Sequence, residues 1–323
     1  MNFYLGLISK YKNELMGFSA IGIILCHAPA TLTELPSIVK ALMSLGQICV
    51  EIFFLLSGIG IFYSLEKNKN ILKWYKKRFI RLFVPYLILT IPYYVWFGYI
   101  NNYSVYTILL NITTLNYWIN GSGVWFVAMI IPYYLISPFL YYIYRVSRNK
   151  NTMFFIILFF AVYILSFFTG FYKSALYQSS FFLLGMFLAP YIKKNQSINW
   201  LNISIIGVLL FIICSKISIL QFIPRLFLLL PLAIVIPIIF IDKIYYIKLF
   251  SFMGKISLES YLTNVYFPVL LSQYGYLIIP GKYATGNYIQ YLLVVILGIT
   301  VSYFTHKLSN IILNKCTRTS LNA

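Results

Sequence analysis

Apolar residues in this chain come in long unbroken runs separated by short polar gaps. The runs cover residues 15–30, 42–65, 82–100, 124–144, 153–171, 176–192, 198–214, 222–241, 249–271 and 288–305. Each is close to the roughly 20 residues a helix needs to cross the hydrocarbon core of a bilayer. The apolar positions are continuous and do not alternate at period two, so the pattern predicts helices and not a transmembrane barrel. Pro92, Pro132, Pro138, Pro231, Pro237 and Pro268 fall inside runs and predict kinks that neighbouring helices accommodate. The expected architecture is an all-α, polytopic transmembrane helix bundle of about ten spans. A single integral-membrane domain would cover residues 1–323.

The polar gaps carry the orientation. With the N-terminus placed in the cytoplasm, the inward gaps hold 19 of the 25 Lys and Arg residues and the outward gaps hold 5, with Lys255 inside a run. Positive charge is retained on the cytoplasmic side, so both termini are expected inside a multi-pass plasma (inner) membrane protein. The densest gap holds Lys67, Lys69, Lys73, Lys76, Lys77, Arg78 and Arg81. Residues 68–81 also contain Ile71, Leu72, Trp74 and Tyr75, and read as a basic amphipathic segment on the inner leaflet. Residues 101–123 carry no charge, and 104–115 reads as a short interfacial helix. A rival reading of the first run is a signal peptide ending at Ala28-Pro29-Ala30. Glu14 and His27, and the consistency of the charge pattern with that run retained, favour a membrane span.

Composition narrows the class. The chain is 61% hydrophobic and 10% charged, with a mean hydropathy of +0.84; soluble domains carry about 25% charged residues. The net charge of +19 does not indicate a nucleic-acid partner, because the bases sit in the gaps between spans. Cys26, Cys49, Cys214 and Cys316 show no CxxC spacing, so neither a disulfide framework nor a metal site is expected.

A few ionisable groups lie at membrane depth, where they cost a few kcal/mol and are by default functional. Glu51 is expected roughly mid-span in the second run, and His27 near the outer end of the first. Two neighbouring antiparallel helices could bring the carboxylate to the imidazole and prepare a general base; a structural Glu–His or Glu–Tyr pair is the plainer alternative. Glu259 lies in the ninth run with Ser260 and Asn264. Spacing alone pairs Glu259 with Lys255 in a helical salt bridge, and Ser260 and Asn264 equally suit helix–helix hydrogen bonds. Arg225 either joins a site or reaches toward headgroups. Ser57 lacks a nucleophile-elbow context and reads as a packing residue beside Gly58.

Several blocks together resemble the membrane acyltransferase 3 family of bacterial O-acyltransferases. Val50-Glu51-Ile52-Phe53-Phe54-Leu55-Leu56-Ser57-Gly58 resembles its G-V-D-I-F-F-V-L-S-G signature. The stretch from Lys77-Arg78-Phe79-Ile80-Arg81 to Val84-Pro85-Tyr86 resembles its R-R-x-x-R-I-x-P-x-Y element. Val124-Trp125-Phe126, Phe182-Leu183-Leu184-Gly185-Met186 and Gly254 to Leu262 are similar to later blocks in the same order. Three positions depart from the family. Met16 stands where an arginine is usual, Glu51 replaces an aspartate, and Asn264 stands where a histidine is usual.

The resemblance implies acyl transfer, often of acetyl, from cytoplasmic acyl-CoA to a hydroxyl of an envelope or capsular glycan or a lipid-linked sugar. His27 would be the general base or a transient acyl carrier, with Glu51 orienting it and balancing its charge. Lys77, Arg78 and Arg81 would attract the phosphates of CoA, or would serve only topology and anionic lipid. No tightly bound cofactor is implied. A transporter or flippase of lipid-linked sugars or small solutes, and a structural partner in glycan assembly, are the competing classes.

Overall fold

The computed structural model describes residues 2–31, 35–68, 70–146, 151–214, 230–243, 247–272 and 288–319. A short strand β1 (Asn2–Tyr4) leads into α1 (Gly6–Lys10), α2 (Lys12–Thr31), α3 (Ser37–Ser44) and α4 (Ile48–Lys67). Then follow α5 (Ile71–Ile100), α6 (Val105–Ile112), α7 (Leu115–Asn120), α8 (Trp125–Val146) and α9 (Asn151–Phe167). After α10 (Lys173–Ser179) and α11 (Phe181–Lys193) come β2 (Ser197–Asn199), α12 (Trp200–Cys214), α13 (Leu230–Lys243), α14 (Ile247–Lys255), α15 (Ser257–Ser272) and α16 (Tyr288–Thr319). The described residues are thus all-α apart from one two-stranded ribbon.

Among the described residues five stretches are long and apolar enough to cross a membrane: Ser37–Lys67, Ile71–Ile100, Trp125–Val146, Ser174–Lys193 and Tyr291–Lys315. Met153–Phe167, Trp200–Leu210 and Ala233–Asp242 form shorter apolar helices. Two expected spans are interrupted. A 3-10 turn at Leu45–Gln47 separates α3 from α4 within the Ser37–Lys67 stretch, and Glu51 lies in the first turn of α4. The ninth run breaks between Lys255 and Ser257, where Gly254 and Ser257 are weak helix formers. The basic segment 68–81 is also not a separate surface element. Asn70 caps α5 by accepting from the Lys73 amide at 2.9 Å, and Lys73, Lys76, Lys77, Arg78 and Arg81 ride on the first turns of that single 30-residue helix. The helix continues through Pro85 and Pro92.

The chain groups into two compact units. The first comprises 1–19, 47–67 and 135–254, and the second 20–46, 68–134 and 255–323. In the first unit α4 packs along α11. A Cβ on Gly58 would run into the carbonyl oxygen of Phe182, and a Cβ on Gly185 into that of Leu55. The two signature glycines therefore form one reciprocal contact that lets the helix backbones touch, as small residues do in membrane bundles. Ile52, Phe54 and Leu56 of α4 and Phe181, Phe182 and Met186 of α11 are each fully buried. Gly17 and Gly254 repeat the device between α2 and α14, beside a hydrogen bond from the Asn13 amide to the Ser251 carbonyl at 2.8 Å.

β1 pairs antiparallel with β2, Phe3 opposite Ile198, and the Gly6 amide at the start of α1 donates to Asn195 Oδ1 at 2.9 Å. Lys193 pairs with Glu66 at 2.6 Å, and Asp242 takes Lys10 at 3.5 Å together with the Tyr11 hydroxyl.

In the second unit α15 packs against α5 and α16. The uncharged stretch after α5 forms the two short helices α6 and α7, with Ser104 capping α6. Its asparagines satisfy one another: Asn116 donates to Asn111 at 2.9 Å and Asn120 to Asn116 at 2.7 Å.

Because a methyl group at the Gly58–Gly185 crossing has nowhere to go, Gly58→Ala and Gly185→Ala are each expected to destabilise by about 1–3 kcal/mol. The double variant is expected to cost less than the sum, since the first substitution already separates the helices. Thermal unfolding in detergent of the two single variants and the double reads both effects.

Candidate active site

The polar residues of the second unit converge on α15. Its sequence, Ser257-Leu258-Glu259-Ser260-Tyr261-Leu262-Thr263-Asn264-Val265-Tyr266, places a hydrogen-bonding group on almost every face. In an apolar surround each such group must be answered within the protein, and four of them are answered by different neighbours.

Asn264 meets His27 near the end of α2, with Nδ2 2.6 Å from Nδ1. Glu259 meets His306 of α16, with Oε1 3.0 Å from Nδ1. Thr263 shares a hydrogen bond with Ser302 of α16 at 3.0 Å, and Tyr266 shares one with Thr90 of α5 at 2.9 Å. Tyr93 of α5 stacks on Tyr266 with ring centroids 4.1 Å apart. Both histidines of the chain thus end on one helix, five positions apart.

The helix carrying His27 is itself tied down. Tyr291 of α16 donates to the carbonyl of Ile24, one turn before His27, at 2.7 Å. Ala28, directly after it, packs with Leu35 and Tyr291. His27 lies on the exposed face between these two anchors. With Nδ1 committed to Asn264, Nε2 is the nitrogen left for chemistry.

A carboxamide is an adaptable orienter. With its N–H at Nδ1 the ring proton sits on Nε2; with its carbonyl at Nδ1 the proton sits there and Nε2 becomes a base. A half-turn about the Cβ–Cγ bond of Asn264 exchanges the two arrangements. Asn264 is neutral, so it orients the ring and stabilises an imidazolium less than a carboxylate would.

Glu259 does not form the helical salt bridge with Lys255 that its spacing suggests. The break at Ile256 puts Lys255 at the end of α14, where it is exposed, and Glu259 in the first turn of α15, only 4% exposed. The order of residues does not reveal the role of His306, because its partner lies 47 residues away. The signal available was that it is the only histidine besides His27. Ser260 is buried on the same turn as Glu259.

The remaining residues fall elsewhere. Glu51 is fully buried in the first unit, at the start of α4, where the positive end of the helix dipole favours a carboxylate. Lys77, Arg78 and Arg81 lie on the first turns of α5; Lys77 and Arg81 are exposed and four residues apart, hence on one face, and Arg78 is half-buried. Arg225 lies outside the described residues. Among the described residues no group of three or more His, Cys, Asp or Glu side chains is placed to hold a metal ion.

A family model described as an acyltransferase domain matches residues 15–307, a stretch that runs from the first turns of α2 to one residue past His306. The chain belongs to the acyltransferase 3 family. No curated protein and no solved structure matches it. Family membership and the apolar helices together make it a membrane acyltransferase. Among the described residues Asn264 is the side chain that meets the His27 ring.

Asn264→Leu keeps the volume and removes the hydrogen bond at Nδ1. It is expected to lower the acyl-transfer rate by about 100-fold, the contribution of a positioned proton-transfer group, with little change in KM. Steady-state kinetics on the protein in membranes separates the two parameters.

Proposed function

We propose that this protein transfers an acyl group, in the first instance acetyl, from acyl-CoA to a hydroxyl of an envelope, capsular or exopolysaccharide glycan or a lipid-linked precursor. The observation that carries the reading is His27, held at Nδ1 by Asn264 inside a chain of acyltransferase family. An imidazole fixed at one nitrogen presents the other to an acceptor hydroxyl. With the Asn264 carbonyl turned to Nδ1, Nε2 takes the hydroxyl proton as the oxygen attacks the thioester carbon, the C–S bond breaks, and the thiolate leaves as CoA thiol on receiving that proton from the imidazolium.

Lys77, Arg78 and Arg81 supply fixed positive charge for the phosphates of CoA, which binds as cosubstrate and not as a resident cofactor. The reaction is assigned to the plasma membrane, with both termini and the basic turns of α5 on the cytoplasmic side, in keeping with the charge asymmetry of the chain.

The test is made on surface glycan from cells expressing the wild type, His27→Ala or no protein, examined by NMR and mass spectrometry for an O-acyl ester. An ester present with the wild type and reduced about 100-fold or more with His27→Ala supports the assignment. An ester that survives His27→Ala removes the base role. Absence of any ester while the glycan is made normally overturns the reading in favour of transport.

A further inference from the structure

The contacts of α15 with α16 form a ladder. Glu259–His306 and Thr263–Ser302 are two rungs, each step four residues forward on α15 and four back on α16, as antiparallel helices in constant register require. Gly298, four residues further back on α16, lies against the side chain of Thr263, with Thr263 Oγ1 3.3 Å from where a Cβ would stand. Between helices in an apolar surround there is little hydrophobic drive to choose a register, and polar contacts take over that task. The Glu259–His306 rung is the ionisable one, and hydrogen bonds with a charged partner are roughly twice as strong as neutral ones.

Asn264 is five residues from Glu259, about 7.5 Å along the axis and about 140° around it. Thus the ladder faces α16 while Asn264 faces α2. A side-chain atom lies about 5–6 Å from the helix axis, so a rotation of α15 by only about 20° carries the Asn264 amide some 2 Å from its place. A hydrogen bond of 2.6 Å does not survive that displacement.

We propose that Glu259 and His306 are a positioning pair for the His27 site: by locking α15 against α16 they hold Asn264 on the His27 imidazole. The catalytic assignment of His27 is taken from the preceding reading, while the positioning itself is a property of the fold. Neither residue of the pair touches the imidazole of His27, and their effect on it passes through the rotation and height of one helix. The Tyr266–Thr90 bond to α5 holds the same helix from a third side and is left intact by the test.

The test exploits the chain's having two histidines. In both His306→Gln and the double variant Glu259→Leu/His306→Leu, His27 is the only imidazole, so labelling histidine with nitrogen-15 gives its signals alone. His306→Gln keeps a polar rung, since an amide N–H donates to the Glu259 carboxylate. The double variant replaces the rung by apolar contact and leaves no unpaired buried charge, a change that membrane and soluble cores tolerate well. Full-length protein in nanodiscs is used throughout.

The expected result is a well-separated pair of Nδ1 and Nε2 resonances in His306→Gln, collapsing toward an exchange-averaged position in the double variant. Acyl transfer by the double variant is expected to fall about 100-fold below that of His306→Gln, the scale of loss that about 1 Å of misplacement causes. Identical His27 spectra in the two variants overturn the proposal. Differing spectra in a protein whose wild type makes no ester uphold the positioning and overturn the acyltransfer reading instead.

Discussion

Every polar atom that leaves water for an apolar surround must find its partner inside the protein, and in this chain that demand is concentrated on α15. Its glutamate, threonine, asparagine and tyrosine each reach a different neighbour, so the helix can sit in one rotation and one height only. The order of the second unit follows from that. α16 is registered by its rungs to α15, α5 by Thr90 and the Tyr93–Tyr266 stack, and the end of α2 by Asn264 together with the Tyr291–Ile24 bond. Removing His306, Ser302 or Thr90 leaves on α15 a buried group that costs about 1–3 kcal/mol unpaired.

The first unit meets a different constraint. Helices there approach through glycine, and the gain is dispersion contact along a seam of Ile, Leu and Phe side chains that an extra methyl would hold apart. Two motif blocks, the Leu-Ser-Gly of α4 and the Leu-Leu-Gly of α11, are thereby a single structural feature written twice. This gives Gly58 a packing role in the fold, with Glu51 at the buried start of the same helix.

Three of the acids sit at helix starts, whereas Glu66 and Asp242 lie in last turns and are answered by Lys193 and Lys10. Glu14, Glu51 and Glu259 each lie in the first turn of a helix, where the unsatisfied amides make the local potential positive. For Glu51 and Glu259 this arises only because the apolar run containing each is broken just ahead of it. Run length made the ninth span look continuous. The breaks come from residues whose preference for another conformation is weak and local, glycine at 46 and 254 and serine at 257, and they matter only once the neighbouring backbone is close enough to demand them.

Some features were legible in the order of residues because they are local. Run length and absence of period-two alternation determined helices and a membrane environment, the blocks around Glu51 and Arg78 pointed to the family, and Ser104 marked the start of α6. Residue type also singled out His27, Glu259 and Asn264, since ionisable and amide groups are rare in apolar runs. What only the tertiary structure decided is who answers whom. The bond between His27 and Asn264 joins residues 237 apart, and the His306 that takes Glu259 in place of the nearby Lys255 lies on a helix 47 residues on. The strand pairing of the first residues with Ser197–Asn199 and the reciprocal Gly58–Gly185 contact are equally non-local. Periodicity reports which face of a helix is apolar, but a hydrogen bond needs two atoms within about 3 Å, and that distance is set by the packing of the whole chain.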